Sequence, residues 1–302
     1  MTNALRVVID TDPGIDDAVA ILFALASPRF EVLGITTVAG NLGIDVTTRN
    51  AGRILALAGR SDIPVIAGAA TPLARRGFDT AEIHGAGGLG GVDFPEPQAA
   101  AQGDAVAWLA GLLQREPAGS VEILALGPLT NIARLIADYP GAAARVRRII
   151  AMGGAVEEPG NIGPRSEFNM AADPEAAQIV LTSPLAVTLV PLDVTRRVRA
   201  TLDHVARLAQ SARPGAQASA ALIQAYFQST EGRESRPLHD PCVMLLAEAP
   251  ELFDCSPLRL SVDLRDDPGA LGVVAGEGGP QVALQVRGAD ALSLLLDRLT
   301  TG

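Results

Sequence analysis

The chain has 302 residues, nearly half of them hydrophobic but only 3% aromatic, and a formal net charge of −10, which argues against a nucleic-acid backbone or an anionic membrane surface as partner. Its length permits one large α/β domain with an aliphatic core, of the kind a buried parallel sheet requires. Every positively charged side chain is an arginine, which removes phosphate-loop lysines, Schiff-base chemistry and a lysine base together.

In chain order, Val7-Val8-Ile9 reads as a buried strand, Pro13-Gly14 as a turn, and the apolar periodicity after Asp17 as a helix. Asp10, Asp12, Asp16 and Asp17 crowd that single turn. Two carboxylates ~4 Å apart at an effective dielectric of ~20 repel by about 4 kcal/mol, so something cationic must offset them. Helix-dipole capping accounts for Asp16 and Asp17 at under about 1 kcal/mol each, but it leaves Asp10 and Asp12 unexplained. A bound divalent cation explains all four, and a ligand set made only of oxygen points to calcium or magnesium.

Glu31 to Val38 reads as a second strand running into Ala39-Gly40-Asn41, followed by a helix over Asp45 to Ala58 and a short strand at Pro64-Val65-Ile66. This βαβαβ order opens a doubly wound sheet. Residues 68 to 103 are rich in Gly, Pro and Ala, and their glycine run around His84 lacks the strand, helix and lysine of a phosphate loop. It reads as a flap over a site, with His84 as its one group that titrates near neutral pH. Then come a helix over Asp104 to Gln114, a strand over Val121 to Leu126, a helix over Thr130 to Ala137 and a strand over Arg148 to Met152.

After Gly153-Gly154 a polar loop collects Asn161, Glu167, Phe168 and Asn169, and Asp173-Pro174-Glu175 carries the cap, proline and acid of a helix start. Ala186 to Val190 is a strand. Leu202 to Phe227 is helical with a break near Pro214, and Glu231 to Arg236 is a charged loop. His239-Asp240-Pro241 leads into a helix through Ala249. Strand-like runs at Leu258 to Val262 and Val282 to Val286 precede a last helix over Ala289 to Leu299. No repeat or linker divides the chain, so one domain over residues 1–302 is expected: a mostly parallel open sheet with helices on both faces.

The polar candidates share an edge. Asp10, Asp12, Asn41, the Gly127 turn and the loop after Met152 all follow the C-terminal ends of strands, where open parallel sheets bind ligands. Taken singly, Asn41, Asn161 and Asn169 are ordinary turn residues, His239 a satisfied histidine and Asp240 a helix cap. Beside an acidic metal cluster the three asparagines read as donors and acceptors for a hydroxyl-rich ligand. His204 reads as structural, and Cys242 and Cys255, which follow no metal or redox spacing, as reduced residues in or near the core.

Asp10-Thr11-Asp12-Pro13-Gly14-Ile15-Asp16-Asp17-Ala18, Thr36 to Asn41, His84-Gly85, Gly127-Pro128-Leu129-Thr130-Asn131, Met152-Gly153-Gly154, Glu167-Phe168-Asn169 with Asp173 to Ala177, and His239-Asp240-Pro241 resemble, in order, the inosine-uridine-type nucleoside hydrolases. The resemblance spans residues 5 to 250. It implies calcium-dependent hydrolysis of the N-glycosidic bond of ribonucleosides to ribose and free base, in nucleoside salvage. It further implies metal ligation by Asp12, Asp17, Asp240 and the main-chain carbonyl of Leu126, with Asp12 also the base for a metal-bound water. Asp16, Asn41, Asn161, Glu167 and Asn169 would bind ribose hydroxyls, with Met152, Phe168 and His84 beside the substrate and Asp10 supporting the ligands from behind. His239 would protonate the departing base, work that a pKa near neutrality suits. A departure lies just before His239, where Tyr226 is present but the next turn holds Ser229 and Thr230.

Two rival readings are a haloacid-dehalogenase-like phosphatase, whose lysine this chain lacks, and a calcium- or ribose-binding protein without turnover. No leader or long apolar segment is evident, so a cytoplasmic protein is expected, as a homodimer or homotetramer acting on a small ribonucleoside.

Overall fold

A computed structural model describes residues 4–80, 83, 85, 87–228 and 235–301 of the chain. Its strands in chain order are β1 (Leu5–Thr11), β2 (Phe30–Thr37), β3 (Val65–Ala67), β4 (Val121–Ala125), β5 (Arg148–Met152), β6 (Val187–Val190), β7 (Arg199–Thr201), β8 (Ser235–Pro237), β9 (Phe253–Pro257), β10 (Leu260–Val262), β11 (Leu271–Val273) and β12 (Gln281–Val286). Eight of them form one sheet of order β3-β2-β1-β4-β5-β6-β12-β9, and β7–β8 and β10–β11 form two-stranded ribbons. Every neighbour in the large sheet is parallel except β9, which closes the β12 edge antiparallel.

The sheet is buried because its strands are apolar on both faces. Along β1, Val7 and Ile9 enter one hydrophobic layer and Val8 the other, as the two-residue period of a strand requires. The first layer is built with the helices Ile15–Ala26, Ile44–Leu57, Pro214–Gln228, Pro241–Glu248 and Gly288–Thr301. The second is built with Ala105–Arg115, Thr130–Asp138 and Pro174–Leu181. The expected mixed α/β fold with helices on both faces is therefore the one observed.

The chain runs outward from β1 through β2 to β3, then returns and runs the other way through β4, β5 and β6. The order thus reverses between β1 and β4, where the loops leaving the two strands diverge and open a crevice. Leu126 N–H donates to Asp10 O at 2.8 Å, so the sheet pairing reaches the lip of that crevice.

Several elements lie outside the sequence expectations. The last sheet strands are β9 and β12, with β10 and β11 as a separate ribbon, and β7 with β8 form a ribbon where a charged loop was expected. Cys255 is exposed on β9 rather than near the core, while Cys242 is buried, and both are free. His204 is structural as expected: its Nδ1 lies 3.0 Å from Thr201 N and 2.9 Å from Thr201 Oγ1 at a helix start. Among the described residues, no helix is long and apolar enough to cross a membrane.

Candidate active site

Asp10 ends β1 fully buried. Its Oδ1 accepts from Thr36 Oγ1 at 2.5 Å and Asn131 Nδ2 at 2.8 Å, while its Oδ2 has no hydrogen-bond partner. Burial, only partly offset by those two bonds, pushes its pKa up to about 6. Asp10 does not line the cavity, so it holds neighbouring strand ends together from behind.

Asp12 is the least satisfied acid. Asn41 N–H donates to its Oδ2 at 2.6 Å, but Oδ1 is buried without a partner. Two glycines wall it in: a Cβ on Gly40 would collide with Oδ2 and one on Gly127 with Oδ1. Glycine is required at both positions by close approach. Burial, then the charge of Asp17, push the Asp12 carboxyl well above the usual carboxylate range.

Asp16 and Asp17 fall in the first turn of the helix Ile15–Ala26, so part of the capping explanation holds. Asp17 Oδ2 accepts Gly14 N–H at 3.0 Å, and Oδ1 accepts from Thr11 Oγ1 at 2.6 Å. Capping does not explain Asp240. It precedes the helix Pro241–Glu248 yet makes no side-chain cap bond. Instead, carboxylate oxygens of Asp16, Asp17 and Asp240, all buried, lie within 4.8 Å of one another. Burial and the charges of Asp16, Asp17 and Asp12 raise the Asp240 pKa strongly. Acids this close and dry need a cation, and an all-oxygen set with an unspent Asp12 oxygen beside it suits a hard divalent ion.

Above this floor opens a cavity of about 460 Å³, whose lining includes Asp16, Asn41, Leu126, Met152, Asn161, Glu167, Phe168, Asn169 and Asp240. Asp12 and Asp17 are not on its surface; they lie beneath it. The Asn41 amide is already engaged, donating to Asp12 O at 3.2 Å and Asp17 Oδ2 at 3.1 Å and accepting from Thr80 Oγ1 at 3.0 Å. Asn169 Nδ2 donates to Leu126 O at 2.6 Å and Met152 O at 3.2 Å, tying the loops after β4 and β5 together.

Glu167 caps the short helix Phe168–Ala172. Its Oε1 accepts Asn169 N–H at 3.0 Å, and its Oε2 accepts Gly154 N–H at 2.9 Å and Met170 N–H at 3.3 Å. Burial raises its pKa nonetheless. Asn161 Oδ1 accepts Phe168 N–H at 2.9 Å, and Phe168 packs edge-on against Phe78 with ring centroids 5.5 Å apart.

The lining also includes His239, Tyr226, Ile83, Pro237, Arg196, Arg199 and Arg236. His239 Nδ1 lies 2.8 Å from Thr195 Oγ1. A pKa near neutrality is not what this setting gives: burial, then the charges of Arg236, Arg196 and Arg199, lower it to about 3, which favours the neutral ring. His84 lies outside the described residues. The three arginines, Thr195 and Thr80 were not singled out from the sequence. Arg236 comes from the segment that read as a charged loop, Arg196 and Arg199 from a stretch between the strand and the helix that carried no expectation, and no local motif marks them.

The family model described as inosine-uridine preferring nucleoside hydrolase matches residues 7–291. The chain is 41% identical over 254 residues to the pyrimidine-specific ribonucleoside hydrolase RihA of Klebsiella pneumoniae, covering 83% of this chain and 81% of the relative. It is 38% identical over 265 residues to the enzyme of that name from Shewanella woodyi, covering 86% and 85%. Among solved structures, a plant nucleoside hydrolase, the PpNRh1 enzyme, superposes with a TM-score of 0.91 at 33% identity over 99% of this chain and 100% of the other. A purine-preferring ribonucleoside hydrolase from Gardnerella vaginalis superposes at 0.90 with 28% identity over 98% of each chain.

Proposed function

We propose a mechanism from one premise: the chain belongs to the inosine-uridine preferring nucleoside hydrolase family. It is an N-ribosyl hydrolase that cleaves the N-glycosidic bond of ribonucleosides. The ion we assign to the acidic floor is calcium, because several carboxylates and a carbonyl oxygen at Leu126 offer the many oxygen ligands that calcium takes. Asp12, Asp17, Asp240 and the Leu126 carbonyl are the proposed ligands, with Asp16 adjoining them on the cavity side. When bound, the ion orients the attacking water and the ribose hydroxyls and offsets the clustered negative charge.

Asp12 Oδ1 takes the proton from the attacking water. The observation that carries this is the division of labour on one carboxylate: Oδ2 is fixed by Asn41 N–H while Oδ1 is buried and unspent. Asp16, Asn161, Glu167 and Asn169 meet the ribose hydroxyls, and Asn41 serves them by holding Asp12 and Asp17 in place. The transition state carries positive charge on the sugar, which these carboxylates stabilise without having to reorganise.

His239, steadied by Thr195, is assigned the departing base. Negative charge developing on the base nitrogen favours the protonated ring, opposing the burial that favours the neutral one. Asp12→Asn is therefore expected to abolish base release from inosine and uridine while the protein stays folded by circular dichroism. Unchanged turnover would remove Asp12 from the chemistry.

A further inference from the structure

Thr195 and His239 are brought together from opposite ends of one ribbon. Thr195 ends the helix Leu192–Thr195 just ahead of β7, and His239 follows shortly after β8. The antiparallel pairing of Arg199 with Pro237, and the bond from Leu238 N–H to Val198 O at 2.9 Å, set the two side chains against each other. Thr195 Oγ1 lies 2.8 Å from His239 Nδ1. Thr195 is fully buried, and among the described residues its hydroxyl has no other hydrogen-bond partner. His239 is only half-buried and lines the cavity. With Nδ1 turned to Thr195, Nε2 is the ring nitrogen left for the cavity, and it bonds to no described residue.

A hydroxyl can donate to a ring nitrogen or accept from it. Burial decides between the two. If Thr195 accepted from Nδ1–H, its own O–H would sit in a dry place with no acceptor, at the full desolvation cost of that group. If it donates, no donor is left over and Nδ1 is the bare nitrogen, so a neutral ring carries its hydrogen on Nε2. We propose that Thr195 is a positioning residue: its hydroxyl donates to His239 Nδ1 and so fixes the neutral tautomer that presents Nε2–H to the cavity. The inference rests on the nucleosidase reading above and adds how the ring is aimed.

The tautomer bears on the reaction. Hydrolysis breaks the bond from C1′ to the base nitrogen with its electron pair going to the base, while the water oxygen bonds to C1′ and Asp12 takes one water proton. A base gaining negative charge is stabilised by an N–H turned toward it and opposed by a lone pair. The Nε2–H form offers the first and the Nδ1–H form the second. A carbonyl or carboxylate in the place of Thr195 would accept from Nδ1–H and select the opposing form.

The test joins spectroscopy to kinetics on the calcium-loaded protein. The chain has three histidines, so labelling them with heavy nitrogen gives few resonances, and His239→Gln identifies those of His239 by their loss. Near neutral pH the wild-type ring is expected to carry hydrogen on Nε2 with Nδ1 bare, and Thr195→Val to give a mixture of the two tautomers. Thr195→Val keeps the size of the side chain and removes the O–H. It is expected to lower kcat for inosine and uridine about ten-fold, the scale of one hydrogen bond, with KM changed by less than about two-fold. Turnover of p-nitrophenyl riboside, whose leaving group needs no proton, should stay within about two-fold. Thr195→Ser, which keeps the hydroxyl, should keep both the tautomer and most of kcat. A wild-type ring with its hydrogen on Nδ1 overturns the inference, as does a Thr195→Val protein with the tautomer or kcat unchanged. Equal losses on all three substrates, not restored by serine, would mean packing alone and overturn it too. A wild type that releases base from neither nucleoside overturns the nucleosidase reading, while the nitrogen resonances still decide whether Thr195 fixes the tautomer.

Discussion

At the scale of single residues, Asp12 depends on what is missing beside it. Gly40 and Gly127 leave room for its two oxygens and nothing else. Gly127→Ala is expected to lower kcat/KM by about 100-fold or more, because a displacement near 1 Å at a reacting group costs that much, with little loss of secondary structure. Steady-state turnover beside circular dichroism checks it, and full activity in the variant would place Asp12 Oδ1 outside the reaction. For His239, the variant His239→Ala should slow inosine and uridine by about 100-fold or more yet barely affect p-nitrophenyl riboside, whose leaving group needs no proton. Equal losses on both would end its assignment to the departing base.

These residues were legible to different degrees. The four acids announced themselves by repulsion in one turn, before any ligand was considered. Asp240 was legible only through resemblance, since its nearest sequence context, Asp-Pro before a helix, looks like a cap and its missing cap bond is a fact of three dimensions. Asn41 lines the cavity, but its amide faces the acids and Thr80. The depressed pKa of His239 was illegible, because it comes from burial and from arginines that lie 3, 40 and 43 residues away in sequence.

At the scale of elements, the segment between β5 and the helix Phe168–Ala172 carries Asn161 and Glu167 without a strand or long helix of its own. Two carboxylates from elsewhere pin it. Asp193 accepts the backbone N–H groups of Val156 at 2.9 Å and Glu157 at 2.7 Å, and Asp267 accepts from Arg165 N–H at 2.8 Å and Ser166 Oγ at 2.7 Å. Asp193→Asn removes charge from one anchor and presents N–H against N–H. It should raise KM for uridine several-fold with a smaller change in kcat, since the sugar contacts loosen while the Asp12 floor is untouched. A fall in kcat alone would contradict that role. The helices and central strands were legible because their apolar periods are long. The β7–β8 ribbon and the split of β9 from β10 were not, because three-residue strands leave no period to read.

At the scale of the whole molecule, one reversal of strand order gathers the ends of β1, β2, β4 and β5 around the acids, and the fold holds a charge cluster that it destabilises by burying. The sign of the consequence follows from Asp10, whose folded pKa of about 6 lies above its ordinary 3.8. Asp12, Asp240 and Glu167 are displaced in the same direction. Between those two values Asp10 binds more protons in the folded protein than in the unfolded chain, so its contribution to stability falls as pH rises through the window, while His239, lowered to about 3, contributes with the opposite sign. Added calcium should therefore raise Tm more near neutral pH than in acid, since the ion competes with the protons on these acids. A Tm indifferent to calcium at every pH would contradict a metal at this floor.

The proposed nucleosidase works through a cation held by Asp12, Asp17 and Asp240. Its most direct test follows inosine and uridine with the purified protein after chelation and again after calcium is restored, measuring ribose and free base together. Equal amounts of ribose and base are expected with calcium, near silence in chelator, and recovery on adding the ion back. Nucleosides left intact in calcium, or phosphate released from a generic phosphate ester in their place, would contradict it.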